Sequence, residues 1–344
     1  MHKSSVRCTK SRVAMPKVPQ IFKTFSVHGW TLEGALNLAP QSPFLHVAEL
    51  WSGVGNVVKK AEALGLLAKP FDKYRVPGVT DQPGLGCEDL LTHEGFRTAL
   101  IIVLSIVPGG LLVLAPDCSS MGFLNISNTK RSNENPMGDC SYTPVIEGNK
   151  HSRIAAFLYA LACCIGVLCV TENPTTSYQF KQPWWDLVSS CFPLSFSNLS
   201  RCAFTDRPFG QRYLKIYKLA GKSWVKTLGR RCVCPGRVHK ATATIRVMEN
   251  GKKEITGIHD ALSASAAYPP RMAEWLVKKW LEASPTMQSF TNQAQNKQQN
   301  KQRTDWKWPS KKEPSSQKKA GKSHKQKQQG WKQPVACGIS SSCF

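Results

Sequence analysis

Apolar and polar positions fall into blocks along the middle of the chain, and the blocks have the lengths of strands and helices. Leu45–Leu50 is a short apolar run. It ends in the turn Trp51-Ser52-Gly53-Val54-Gly55, after which Asn56–Leu64 has helical spacing and Gly65 suits a helix C-terminal cap. Leu66–Phe71 reads as a second short strand ending in Asp72. Glu94–Ile106 reads as a helix and Leu111–Leu114 as a strand that runs into Ala115-Pro116-Asp117-Cys118. His151–Ile165 and Val167–Thr171 repeat the unit, and this strand runs into Glu172-Asn173-Pro174. Residues 122–138 are rich in Asn and Ser and read as a loop, residues 184–262 are less regular, and Arg271–Leu281 is a last amphipathic helix. The alternation predicts an α/β fold with a mostly parallel sheet covered on both faces. The strand ends and their loops then share one edge.

The two longest apolar runs, Ile101–Pro116 and Ala155–Val170, are shorter than the ~20 residues of a membrane span, and Pro108-Gly109-Gly110 breaks the first. Each reads as a buried helix feeding a buried strand, so no membrane partner is expected. The charge balance points elsewhere: 46 basic against 22 acidic residues give a formal net charge of +24. Such an excess favours a polyanionic partner, above all nucleic acid. A core domain is expected over residues 44–284. Residues 1–43 read as a basic extension, either a disordered arm or an organelle transit peptide. Residues 285–344 carry 12 Lys/Arg against two acids and are dominated by Gln, Lys and Ser, so a disordered tail is expected. Its lysines and Trp306, Trp308 and Trp331 suit salt-sensitive nucleic-acid binding or a nuclear-import signal; a plain solvated tail is the alternative. The 13 cysteines, with no continuous apolar stretch in the first 30 residues, lead us to expect reduced thiols inside the cell, in the nucleus before an organelle.

Three strand ends carry candidate chemistry. Gly53 and Gly55 in a strand-to-helix turn let a ligand approach the backbone, and the helix start offers free N–H groups. Asp72 follows Gly53 by 19 residues, close to the ~20 of a nucleoside-binding α/β unit. Cys118 and Glu172 each follow an apolar strand, so a nucleophile and an acid converge on one edge.

In this order the motifs resemble those of the cytosine-5 DNA methyltransferase family. Glu49-Leu50-Trp51-Ser52-Gly53-Val54-Gly55 is similar to the family's first motif, Asp-Leu-Phe-Ser-Gly-Ile-Gly. Asp72 falls at the ribose-binding acid, and Asp89 of Glu88-Asp89-Leu90 at the residue that reads the cofactor adenine. Ala115-Pro116-Asp117-Cys118-Ser119 is similar to Pro-Pro-Cys-Gln, and Thr171-Glu172-Asn173-Pro174 to Glu-Asn-Val. Gly210-Gln211-Arg212-Tyr213-Leu214-Lys215 is similar to Gln-x-Arg-x-Arg, and Ala266-Ala267-Tyr268-Pro269 stands at the last motif. The resemblance implies a Rossmann-like S-adenosylmethionine-dependent methyltransferase fold. It implies a cofactor held by Trp51, Ser52, Gly53, Gly55, Asp72, Asp89 and Pro116. Catalysis would fall to Cys118 as nucleophile with Glu172, Gln211 and Arg212. The substrate it implies is cytosine in DNA, with RNA or a weakly active nucleic-acid-binding protein as alternatives. Asp117, Ser119, Tyr213 and Lys215 depart from the family pattern.

Cys232-x-Cys234-x4-His239, with Cys202 30 residues upstream of Cys232, has the donor set of a tetrahedral zinc site. Free thiols in a basic loop are the alternative. The cluster lies by the short recognition region expected over residues 216–262.

Overall fold

The computed structural model describes residues 19–20, 24–73, 88–205, 212–213, 215–235, 239–240, 243–249, 253–258 and 268–293. The expected basic tail from 294 onward, and Gln211, lie outside them.

A small hairpin, β1 (Ser26–Val27) and β2 (Trp30–Thr31), leads into α1 (Leu32–Leu36). Residues 26–36 therefore depart from the irregular arm expected over 1–43. Phe25, Val27, Leu32, Ala35 and Leu36 are all buried in the main core, and the Thr31 hydroxyl caps α1 by accepting from the Gly34 N–H at 3.1 Å. The first βα unit is β3 (Leu45–Leu50) followed by α2 (Asn56–Glu62), and β4 (Ala68–Phe71) comes next. Then come α3 (His93–Leu104) and β5 (Ile106–Leu114), the short α4 (Ile126–Thr129), and α5 (Thr143–Cys164) with β6 (Leu168–Pro174). Next are α6 (Pro183–Cys191), β7 (Ser195–Ser200), β8 (Arg212–Tyr213) and β9 (Ile216–Gly221). Last come β10 (His239–Lys240), a hairpin of β11 (Ala243–Val247) with β12 (Lys253–Gly257), and α7 (Pro270–Ala283).

Six strands form one sheet in the order β4-β3-β5-β6-β9-β7. The first four are parallel, and β9 runs antiparallel between β6 and β7. Side chains of β5 alternate between the faces. Leu112 and Leu114 pack with α3, α5 and α6, and Leu111 and Val113 pack with α2 and α7. Both faces of β5 are thus covered, which is why Leu111–Leu114 reads as a continuous apolar run. Every residue from Ile154 to Cys164 in α5 is buried. The apolar run beginning at Ala155 is the expected buried helix feeding a buried strand, and the fold is Rossmann-like α/β as the alternation predicts.

Several boundaries differ from expectation: α3 ends at Leu104, and β5 begins at Ile106 rather than Leu111 and runs through Pro108-Gly109-Gly110. Helix α5 begins at Thr143, ahead of His151, because Pro144 starts it without needing an N–H donor and its first turns are polar. Residues 216–221, expected in a recognition region, are β9 of the central sheet, where Tyr217 and Leu219 are fully buried. Past the expected boundary at Ser284, residues 285–293 are helical, with Met287 and Thr291 buried. Among the described residues, no helix is long and apolar enough to cross a membrane.

Candidate active site

The turn after β3 is built on left-handed backbone. Trp51, Gly53 and Gly55 have φ of 55°, 52° and 67°; the glycines adopt this freely, while Trp51 is strained. Two acids hold the turn. The Asp72 carboxylate accepts the Gly53 N–H at 2.8 Å. The buried Glu49 carboxylate accepts the N–H groups of Val57 and Val58 at 3.2 and 3.3 Å, capping α2 from inside the core. Burial pushes the Glu49 carboxyl up to about 8. A Cβ built on Gly53 meets nothing within 4 Å, so the backbone there is open to close approach.

The Trp51 indole donates to His151 Nδ1 at 3.1 Å, with the two rings edge-to-face. His151 lies on α5, and burial holds its imidazole below the ordinary histidine range. Asp89 caps its own turn by accepting the Leu91 N–H at 3.0 Å and pairs with Lys73 at 2.8 Å. Burial pushes the Asp89 carboxyl up, but the Lys73 hydrogen bond and charge outweigh it and hold the group below the ordinary range. His151 was missed in the sequence because one histidine inside a helical run carries no spacing signal.

Cys118 sits in the loop after β5, half-buried. Asp117 accepts both the Ser119 N–H at 2.9 Å and the Ser119 hydroxyl at 2.7 Å, so these two departures from the family pattern satisfy each other. Burial pushes the Cys118 thiol up to about 11; the Lys215 ammonium opposes this, and the Glu172 and Asp117 carboxylates add to it. The buried Glu172, in β6, accepts the Tyr268 hydroxyl at 2.9 Å on Oε2, while Oε1 is buried with no hydrogen-bond partner among the described residues. Burial pushes the Glu172 carboxyl up, against Lys215 and the Tyr268 bond. The Asn173 amide donates to the Pro116 carbonyl at 3.1 Å and ties the two strand-end loops together. Tyr268, which the motif order places at the cofactor pocket, is thus a partner of Glu172.

Behind the Cys118 loop, buried Arg131 uses every guanidinium N–H. Its Nε reaches the Ser120 carbonyl at 2.7 Å, Nη1 reaches the Pro136 carbonyl and Asn149 Oδ1, and Nη2 reaches Ser120 Oγ and the Val145 carbonyl. Gln182 donates to the same Asn149 oxygen at 2.6 Å. Gly148 on α5 lets the loop approach, since a Cβ there would stand 2.1 Å from Ser120 Oγ.

The third group is also assembled. Cys202, Cys232, Cys234 and His239 place their ligand atoms within 4.8 Å of one another. Burial pushes the Cys202 thiol up to about 12. Burial also pushes Cys232 up, but the Cys234 N–H, the neighbouring thiols and Arg212 outweigh it and hold that thiol below its ordinary value. Arg212, expected beside the catalytic pair, donates from Nη1 toward the Cys202 carbonyl at 3.4 Å and Cys234 Sγ at 3.7 Å. It is therefore a neighbour of the cysteine cluster.

The parallel strands β3, β5 and β6 thus bring the glycine turn, Cys118 and Glu172 to their carboxyl ends, where open α/β sheets bind ligands. No family model and no curated protein matches the sequence. Among solved structures, that of the Dnmt2 methyltransferase of S. pombe is similar to 60% of this chain at 13% sequence identity, with a TM-score of 0.27. The match covers 64% of that chain, so this chain spans less than two thirds of its length.

Proposed function

We propose that the chain is an S-adenosylmethionine-dependent methyltransferase that methylates C5 of cytosine in nucleic acid, DNA before RNA. One observation carries the reading. A thiol, a buried carboxyl with an oxygen unpartnered among the described residues, and an open glycine turn clasped by a carboxylate stand at the ends of three adjacent strands. Trp51, Ser52, Gly53, Gly55 and Asp72 would hold S-adenosylmethionine, with Asp89 and Pro116 beside them. When bound, the cofactor supplies an electrophilic methyl group.

The chain's own residues do the rest. The Cys118 thiolate adds to C6 of cytosine and makes C5 nucleophilic. Protonated Glu172 donates to N3 of the ring, and Tyr268 holds its other oxygen in place. The Lys215 ammonium favours the thiolate. After methylation, the C5 proton passes to water, the C6–S bond breaks to release the Cys118 thiolate, and the C5–C6 double bond is restored. A cytosine in a duplex is flipped out of the stack first, and the net charge of +24 supports the nucleic-acid backbone as partner.

Calorimetric titration with S-adenosylmethionine tests the cofactor assignment. Trp51→Ala and Asp72→Ala should each weaken binding by about tenfold, about 1.4 kcal/mol. Unchanged affinity in both variants refutes it. One observation favours a second reading, a weakly active nucleic-acid-binding protein on the same fold: a thiol pushed up to about 11 is a poor nucleophile at neutral pH. Covalent trapping of Cys118 by fluorinated cytosine in DNA separates the two.

A further inference from the structure

We propose that Cys202, Cys232, Cys234 and His239 form a closed structural zinc site that fixes the β8–β10 pair, and with it Arg212, against the end of β7. The site is independent of the cofactor pocket, and its test does not depend on methyl transfer.

The donors come from separate parts of the chain. Cys202 lies in the 3-10 helix Arg201–Phe204 that follows β7. Cys232 and Cys234 follow the 3-10 helix Ser223–Leu228, and His239 opens β10. Three sulfurs and an imidazole nitrogen are a zinc donor set. With the usual bond lengths, a tetrahedral site has edges of about 3.8 Å between sulfurs and about 3.6 Å between sulfur and nitrogen. Cys232 Sγ already stands 3.4 Å from His239 Nε2. The widest separation allowed by the 4.8 Å bound closes with a shift of about 1 Å. Four protein donors leave no open position, so the site is structural rather than catalytic.

The surroundings supply what thiolate sulfurs require. The Cys234 N–H points to Cys232 Sγ at 3.4 Å, and the Arg212 guanidinium lies 3.7 Å from Cys234 Sγ. Such outer partners offset the negative charge of bound sulfurs and fix their orientation. The buried thiols of Cys163, Cys164 and Cys169, by contrast, sit among apolar core residues.

The local backbone also has a need for a clamp. Strands β8 and β10 have two residues each and, among the described residues, pair only with one another, His239 opposite Arg212 and Lys240 opposite Tyr213. A pair this short has no independent stability in water. The stretch before Cys232 is anchored at Arg230, whose N–H and carbonyl bond to Asn198 and Ser200 of β7. A metal joining Cys202, Cys232 and Cys234 to His239 connects that anchor to β10, and the ladder passes the constraint to Arg212 and Tyr213.

The experiment measures metal in the full chain, purified under reducing conditions. We expect about one zinc per chain, released by a thiol-modifying mercurial. The cobalt-substituted chain should show tetrahedral d–d bands and thiolate charge-transfer bands. Cys234→Ser and His239→Ala should lose the metal; His239→Cys should retain zinc with a four-thiolate cobalt spectrum; Cys163→Ser should change nothing. Chelation of the wild-type chain should speed amide exchange at Arg212, Tyr213, His239 and Lys240, reversed by added zinc, with β5 and β6 unaffected. This measurement needs no variant to fold. A zinc-reconstituted chain without stoichiometric metal, a disulfide within the cluster, or zinc that survives both Cys234→Ser and His239→Ala overturns the site. Unchanged exchange at Arg212 and Tyr213 on chelation overturns the clamp.

Discussion

Replacing Cys118 by Ser should lower methyl transfer by about 10⁴-fold or more while leaving S-adenosylmethionine affinity unchanged. The exchange keeps the side chain's size but replaces a thiol with a hydroxyl that stays protonated and is far less nucleophilic. Cofactor binding rests on the turn after β3 and on Asp72, so it is unaffected. Methyl incorporation into cytosine-containing DNA and RNA, measured beside calorimetric cofactor binding, checks both halves. Full methyl transfer by the Cys118→Ser chain would sink the covalent mechanism. The pH profile tests the partner of Cys118. The reaction needs the thiolate and protonated Glu172 together, and burial pushes both groups up, the thiol to about 11. Between the two values the pair holds one proton, and the share with that proton on Glu172 rather than Cys118 does not change with pH. We therefore expect kcat/KM to be flat across the pH range in which the pair holds one proton. A tenfold rise per pH unit across that range would mean that Glu172 acts ionised.

These groups were legible in the sequence because each marks the end of an apolar run. Strand β3 begins and ends where Leu45–Leu50 does, since four of its six residues are apolar and its acid, Glu49, is buried with them. The cysteine cluster was legible by residue type and spacing, although only folding brings Cys202 to Cys232. Strand β9 was not legible. Lys218 interrupts Ile216–Gly221, and its burial comes from an antiparallel insertion between β6 and β7 that no local pattern encodes. The hairpin at 26–31 is too short for a periodic signal and owes its order to packing of Phe25 and Val27 on α5 residues such as Phe157. Arg212 was assigned by motif register, and register does not reveal that its strand pairs with His239.

Arg131 illustrates the same limit with the larger energetic consequence. Its surroundings, 122–138, are rich in Asn and Ser and read as a solvated loop, yet its side chain is 2% exposed. Burial holds the guanidinium down at about 10, so it remains charged at neutral pH, and among the described residues no carboxylate is hydrogen-bonded to it. Carbonyl, hydroxyl and amide oxygens from residues 120, 136, 145 and 149 satisfy it instead. Arg131→Met fills part of the space but strands those acceptors in the core. With the Ser120 and Pro136 carbonyls left unpaired at ~1–3 kcal/mol each, and Asn149 Oδ1 still held by Gln182, the chain should lose about 2–6 kcal/mol. In a domain of this size that is a fall in Tm of about 10 °C. Arg131→Lys recovers only part of it, because three donors on a flexible stem do not reproduce five in a fixed plane. The loss extends to chemistry, since the Ser120 carbonyl held by Arg131 lies two residues beyond Cys118. Methyl transfer at a temperature where the variant remains folded should therefore fall more than cofactor affinity does. Thermal melts beside the two activity measurements check this. A variant melting within about 2 °C of the parent, with unchanged transfer, would show that the Cys118 loop is held by other contacts.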